Sequence, residues 1–447
     1  MARFLITVWP IPGHYHPCLA VAKALHARGH EVAFFTGSRA GKAVASEGFP
    51  CHAFNRTDER LFDSMFYQPQ PARPWWKPEL LVRRERYTAL LVGMLDGQVA
   101  DMESVVRAWC PDAIICDPTF WGPILVTQEL HRIPLAVFAF VPFCPLPGPA
   151  VPPVGPGLPR PRGLVGRVWN QLIGLKFAWG TAGIRAEANR VRVAHGLPAL
   201  EGSVADLARR MPLYLVTGTR EFDYGRTDLP DTVHYVGSCQ FRRTKDGPPA
   251  DWLRELSPDR PLVYVSEGTV NTQKPILLAA AAKGLAELPC RVLLETSSHR
   301  PPGDMGLPSL AANMRLEHWT NVYYDEVLPR ARAAVTNAGG GVVVACLRAG
   351  VPLIMIPGEW DKPEIAQRVV EAGAGLRLSV SRCTPRRLRA AVEKVLQDPS
   401  LRRNAERLGA SFERHRGPED AADLLEHLLG GGTAGQAAAI PRAGDFA

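Results

Sequence analysis

The segment RFLITVWPIPGHYHPCLAVAKALHARGHEVAFFTG, residues 3–37, decides the fold. Residues 3–9 are a short apolar run with β-branched members that stops at Pro10, the pattern of a buried strand. From Pro17 to His30, the apolar residues Leu19, Val21, Ala22 and Leu25 share one helical face, and Gly29 closes the helix. HEVAFFTG then supplies a second strand. Strand, helix and strand in so short a span form a βαβ unit, which calls for a parallel sheet with crossover helices.

Outward from this unit the same pattern repeats. AIIC (113–116), PLAVFAF (134–140) and LYLVT (213–217) are apolar strands separated by stretches long enough for helices. Charged, turn-rich sequence near 219–260 interrupts the series, which restarts with PLVYVSEG (261–268), CRVLLET (290–296), AAVTNAGGG (333–341) and VPLIMIP (351–357). A chain of 447 residues exceeds one ordinary core and suits two domains of roughly 200 residues with a cleft between them. The reading is therefore α/β, with two Rossmann-like, doubly wound parallel-sheet domains. Residues 1–220 form the first domain, 221–250 a linker and 251–405 the second domain. One long final helix is expected over about 401–429, its 406–430 part packing back toward the first domain, and 431–447 lack periodicity and read as a disordered tail.

Hydrophobic residues make up 46% and charged residues 21%, a globular balance that excludes wholesale disorder. The net charge of +8 is a mild excess of 52 basic over 44 acidic residues, dispersed and without an aromatic–basic motif, which disfavours nucleic-acid binding. Nine scattered cysteines without CxxC or Cys/His metal spacing read as reduced thiols in a cytoplasmic protein. The opening MARFLITVWPIPGHYHP, broken by Pro10 and Pro12, reads as neither a signal peptide nor a spanning helix, and no transmembrane segment is expected elsewhere.

Between Pro142 and Gly166 nine prolines and five glycines predict a long irregular loop, which contains Phe143. The stretch MFYQPQPARPWWKPELL (65–81) carries Phe66, Tyr67, Trp75 and Trp76. Either segment suits the wall of an apolar pocket, and plugging of the core is the open alternative.

Three places carry chemistry. In VTNAGGGVVVACLRAG a strand ends at Asn337, and Gly339, Gly340 and Gly341 lead into a helix, so backbone N–H groups and a positive helix end would meet a diphosphate. Plain tight packing is the other explanation of those glycines. Asp361 follows the strand VPLIMIP, where ligands gather in open α/β sheets and where a sugar hydroxyl could donate to it; Glu364 and Arg368 just beyond it read as a surface pair. In PIPGHYHP, His14 and His16 occupy the first βα loop, and Asp117 ends another strand of the same sheet. A histidine there serves as a base for an acceptor hydroxyl when a carboxylate orients it.

These residues together resemble the GT-B, nucleotide-sugar-dependent glycosyltransferases that modify natural products such as macrolides and plant secondary metabolites. PIPGHYHPCLAVAKALHARGHEVAFFTG is similar to the family's PxxGHxxPxxxLAxxLxxRGHxVxF, in which the histidine at His14 is the base; CDPTFWGP resembles the strand end whose acid, Asp117 here, pairs with it. LVYVSEGT is similar to the turn that lies against the donor, which implies roles for Gly268 and Thr269. The block from Val335 resembles VTHGGxxSxxEALxxGVPxxxxPxxxDQxxNAxRV, and Trp319 resembles a residue near the donor base.

The departures are specific. Asn337 replaces the donor-site histidine, Val342 a Ser or Thr, Ala345 the Glu that accepts from the ribose, and Lys362 the Gln after the sugar-binding acid at Asp361. The resemblance implies an inverting, metal-independent hexosyltransferase with no cofactor beyond its UDP- or dTDP-sugar co-substrate. The catalytic pair would be His14 and Asp117. Gly268, Thr269, Trp319, Asn337, Gly339, Gly340, Gly341, Val342, Asp361 and Lys362 would meet the donor. Gly13, His16, Phe66, Trp75, Trp76 and Phe143 would meet a small hydrophobic acceptor. Loss of the ribose acceptor favours a dTDP-sugar. A non-catalytic sugar-nucleotide-binding protein and a nucleotide-sugar epimerase are the rival readings, and the sequence is compatible with a homodimer.

Overall fold

The structure, a computed structural model, describes residues 1–68, 76, 79–140, 146, 148, 151–152, 155, 157–202, 210–241, 253, 260–269, 275–296, 302–318 and 324–430. Trp75, Phe143, Trp319 and the segment 431–447 lie outside the described residues.

Seven strands form the first sheet: β1 (Arg3–Thr7), β2 (Glu31–Thr36), β3 (Cys51–Ala53), β4 (Ala113–Cys116), β5 (Leu135–Ala139), β6 (Leu213–Thr217) and β7 (Val233–Gly237). Their order is β3-β2-β1-β4-β5-β6-β7, and every pair of neighbours is parallel. The second sheet comprises β8 (Leu262–Ser266), β9 (Arg291–Thr296), β10 (Met314–His318), β11 (Ala331–Thr336), β12 (Leu353–Met355) and β13 (Gly375–Arg377) in the order β10-β9-β8-β11-β12-β13, again all parallel. Helices cover both faces, so the central strands β4, β5, β6 and β8 are buried along their whole length. Each order reverses direction once, between β1 and β4 in the first sheet and between β8 and β11 in the second. A crevice opens at the strand carboxyl ends of such a switch point.

Several boundaries differ from the sequence reading. The first helix runs Pro12–Ala27 and so begins five residues earlier than expected, with Pro12 at its first position and Pro17 inside it. Proline is pre-organised at a helix start, and packing of Cys18, Leu19, Val21, Ala22 and Leu25 outweighs the hydrogen bond lost at Pro17. His14 and His16 therefore stand in the first turns of a helix rather than in a loop. β7 falls inside the stretch read as linker, because its five residues are hidden among turn-forming neighbours. Helix resumes at Gly163 and continues to Ala194, so the end of the proline-rich stretch is regular.

The single final helix expected from the periodicity is two, Pro399–Phe412 and Pro418–Leu429. The break falls at Gly417-Pro418, a pair that ends one helix and opens the next. Gly417 has φ +67, and a Cβ there would lie 2.3 Å from the Ser238 carbonyl oxygen. At this crossing the chain passes from the second domain onto the first. The last helix buries Ala421, Ala422, Leu424 and Leu425 in the core around β1 and the 12–27 helix, and Arg28 pairs with its Asp423 at 2.6 Å.

The 362–371 helix also differs from expectation. Glu364 and Arg368 are buried rather than a surface pair, and Arg368 meets Asp223 of the first domain at 2.8 Å.

Candidate active site

β1 hands over to the 12–27 helix at Trp9–Ile11, which sets His14 in the first turn beside the end of β4. There His14 Nδ1 lies 2.6 Å from Asp117 Oδ2. The other carboxylate oxygen, Oδ1, accepts the Thr119 amide (2.8 Å) and hydroxyl (2.7 Å), so Asp117 is held at both ends and fully buried. A carboxylate acceptor makes Nδ1 the protonated nitrogen, leaving the Nε2 lone pair for a proton acceptor's role. Phe140, just past β5, covers the imidazole with ring centroids 3.7 Å apart. Gly13 is exposed, and a Cβ there would meet nothing within 4 Å.

The facing domain presents a turn whose shape is set by Asn337. Its side chain donates to the Glu267 carbonyl (2.5 Å) and accepts the Gly339 amide (3.1 Å). Gly268 crosses directly over it: φ is +84, and a Cβ would sit 2.4 Å from Asn337 Nδ2. Thr269 is half-buried next to it. Ala338 takes φ +66, and the helix Gly340–Arg348 then starts from Gly339 with no side chain capping it. The first-turn amides of Gly340, Gly341 and Val342 thus have no intrahelical partner and point out of a positive helix end. A Cβ on Gly341 would meet no atom within 4 Å, so packing does not explain that glycine. The Val342 side chain turns away into the core.

Charge gathers between the two turns. Asp361 is the residue before the helix Lys362–Glu371; burial pushes its carboxyl up, and the cations that oppose the shift are Lys362 and His14. His14 and Asp361 are thus electrostatic neighbours across the cleft. Lys362 is buried, which lowers its ammonium, while Asp361, Glu267 and Glu359 hold it up. Glu267 is pushed up to about 7, chiefly by burial, although it accepts the amides of Leu277 (3.0 Å) and Leu278 (3.1 Å). Sequence reasoning passed over Glu267. Its signal was a carboxylate directly after an apolar strand, in VYVSEGT.

The remaining residues divide. Phe66 is buried, packed on Phe62 (4.8 Å) and on Trp360 of the second domain (5.3 Å), so it joins the two halves. His16 stacks on Phe241 at 5.5 Å, and Trp76 is 67% exposed. Residues 155–160 cross to the second domain: the Gly155 amide donates to Glu364, Arg377 donates to the Gly157 carbonyl (2.7 Å), and Arg160 pairs with Glu371 (2.7 Å).

Two parallel-sheet domains whose switch points meet at one cleft define a GT-B glycosyltransferase fold. The glycotransferase of kitacinnamycin shares it, with a TM-score of 0.71 at 22% identity over 96% of this chain and 99% of that one. So does the spinosyn rhamnosyltransferase SpnG complexed with thymidine diphosphate, with a TM-score of 0.67 at 18% identity over 95% of this chain and 100% of that one. Residues 285–428 match the family described as Erythromycin biosynthesis protein CIII-like, C-terminal domain. The 4'-demethylrebeccamycin synthase of Lentzea aerocolonigenes is 30% identical over 441 residues, 96% of this chain and 100% of that protein. The chain belongs to the natural-product glycosyltransferases.

Proposed function

We propose that this glycosyltransferase moves a sugar from a dTDP- or UDP-sugar to a hydroxyl of a small hydrophobic natural product by single displacement with inversion. The observation that carries the reading is the His14–Asp117 pair, 2.6 Å apart at the carboxyl ends of β1 and β4. His14 Nε2 removes the acceptor's hydroxyl proton as that oxygen attacks the anomeric carbon. The bond from the anomeric carbon to the diphosphate oxygen breaks, and the nucleoside diphosphate leaves toward the amides of Gly340, Gly341 and Val342. Asp117 stabilises the imidazolium that forms.

Asn337 brings no charge to the leaving group and is already engaged in shaping the turn. Lys362 and the helix end supply the positive potential instead, so the scheme requires no metal ion. Asp361 accepts from a sugar hydroxyl. Ala345 leaves the ribose without a carboxylate acceptor, which favours deoxyribose, and the thymidine diphosphate complex of the spinosyn enzyme supports the same choice.

Mass-shift screening of purified protein tests this with paired dTDP- and UDP-sugars and a panel of hydroxylated polyketide and aromatic acceptors. One added sugar per acceptor, faster from dTDP, is expected. Equal rates from both nucleotides would remove the deoxyribose preference, and donor binding without transfer to any acceptor would favour a non-catalytic role.

A further inference from the structure

The helix Gly163–Ala194 spans 32 residues, about 48 Å at ~1.5 Å per residue. Its second half is anchored: Ile184, Ala188 and Val191 are buried in the first domain, and Arg192 pairs with Glu129 at 2.9 Å. Its first half leaves one face open, with Gly166, Asn170, Ile173 and Gly174 half-buried on the other. Leu164, Val165, Val168, Trp169, Leu172 and Leu175 are between 47% and 84% exposed. At ~100° per residue these six fall within an arc of roughly 140°, an apolar face that Lys176 enters at its C-terminal end. An exposed face of that kind marks a surface that meets something.

Charge identifies the occupant. No Asp or Glu occurs between Glu129 and Glu187, while the same interval holds Arg132, Arg160, Arg162, Arg167, Lys176 and Arg185. Arg160 is taken by Glu371, but Arg162, Arg167 and Lys176 are exposed on the segment that bears the apolar face. Apolar arc, exposed tryptophan, cations beside the arc and a long lysine at its end that can reach the headgroups are the features of a helix that lies in a lipid interface. A second copy of this chain would set these cations against their own kind.

We propose that residues 162–176 dock the protein on an anionic lipid surface, with the apolar face sunk among the acyl chains and the three cations at headgroup phosphates. The helix lies on the bilayer and does not cross it; among the described residues no helix is long and apolar enough to span one. This docking goes beyond the glycosyl-transfer reading and does not depend on it.

Flotation of the full-length protein with phosphatidylcholine vesicles, with and without phosphatidylglycerol, tests the proposal. Binding is expected to be roughly tenfold or more stronger on the anionic vesicles and to fall with added salt. Val165→Glu/Leu172→Glu and, separately, Arg167→Glu/Lys176→Glu should each reduce it by about tenfold or more, with melting temperature unchanged because all four side chains are exposed. Equal binding to neutral vesicles, no binding to either, or variants that bind like the parent would overturn it. So would concentration-dependent dimerisation that Val165→Glu/Leu172→Glu abolishes, which would assign the face to a second copy.

Discussion

Glu267 is a carboxylate at this site held far from its ordinary environment. Its carboxyl is raised from 4.5 to about 7 by burial, so the folded protein holds a proton there that the unfolded chain has released. That contribution to stability is fully present below 4.5 and is lost as pH rises through about 7. A Glu267→Gln variant has no proton to lose and still offers an acceptor to the Leu277 and Leu278 amides. Its melting temperature should therefore gain on the parent's by roughly 2–4 °C between about pH 5 and about pH 8. A gap that stays constant with pH would show that the carboxyl does not titrate in that range. The pairing of His14 with Asp117 was legible in the sequence because Asp117 directly follows β4 and His14 opens the helix after β1, and strand ends are where a parallel sheet exposes its chemistry. Glu267 was less so, since its consequence depends on the helix at Ile276 and on Lys362, far off in sequence.

Among the elements, the donor turn depends on a close crossing of two loops. Gly268→Ala places a Cβ 2.4 Å from Asn337 Nδ2 at φ +84, and we expect a loss of roughly 1–3 kcal/mol, read by denaturant unfolding, together with weaker donor binding. Unchanged stability and binding would mean that the turn tolerates displacement of Asn337. The central strands were legible from apolar runs, because strands buried on both faces have few alternatives, whereas the edge strands β3, β7, β10 and β13 lack such a run. Helix limits were less so. Proline rules placed the first helix start at Pro17, but burial of one helical face carried the helix back to Pro12. The break in the last helix was legible in Gly417-Pro418, a glycine at positive φ followed by a proline that opens the next helix, and the apolar spacing on either side masked it.

At the scale of the molecule, a buried ion pair joins one domain to the other. Asp223 receives Arg368 of the second domain at 2.8 Å, both side chains being buried, and the half-buried Tyr235 hydroxyl of its own domain at 2.7 Å. Arg368→Met leaves that carboxylate buried without its cation, and we expect a loss of roughly 3–5 kcal/mol in denaturant unfolding. A variant as stable as the parent would show that the tie is dispensable. The direct measurement is turnover by His14→Ala alongside its affinity for the nucleotide sugar. We predict a fall of roughly 100-fold or more in transfer with donor affinity unchanged. Undiminished transfer at intact donor binding would contradict the assignment of His14 as the base.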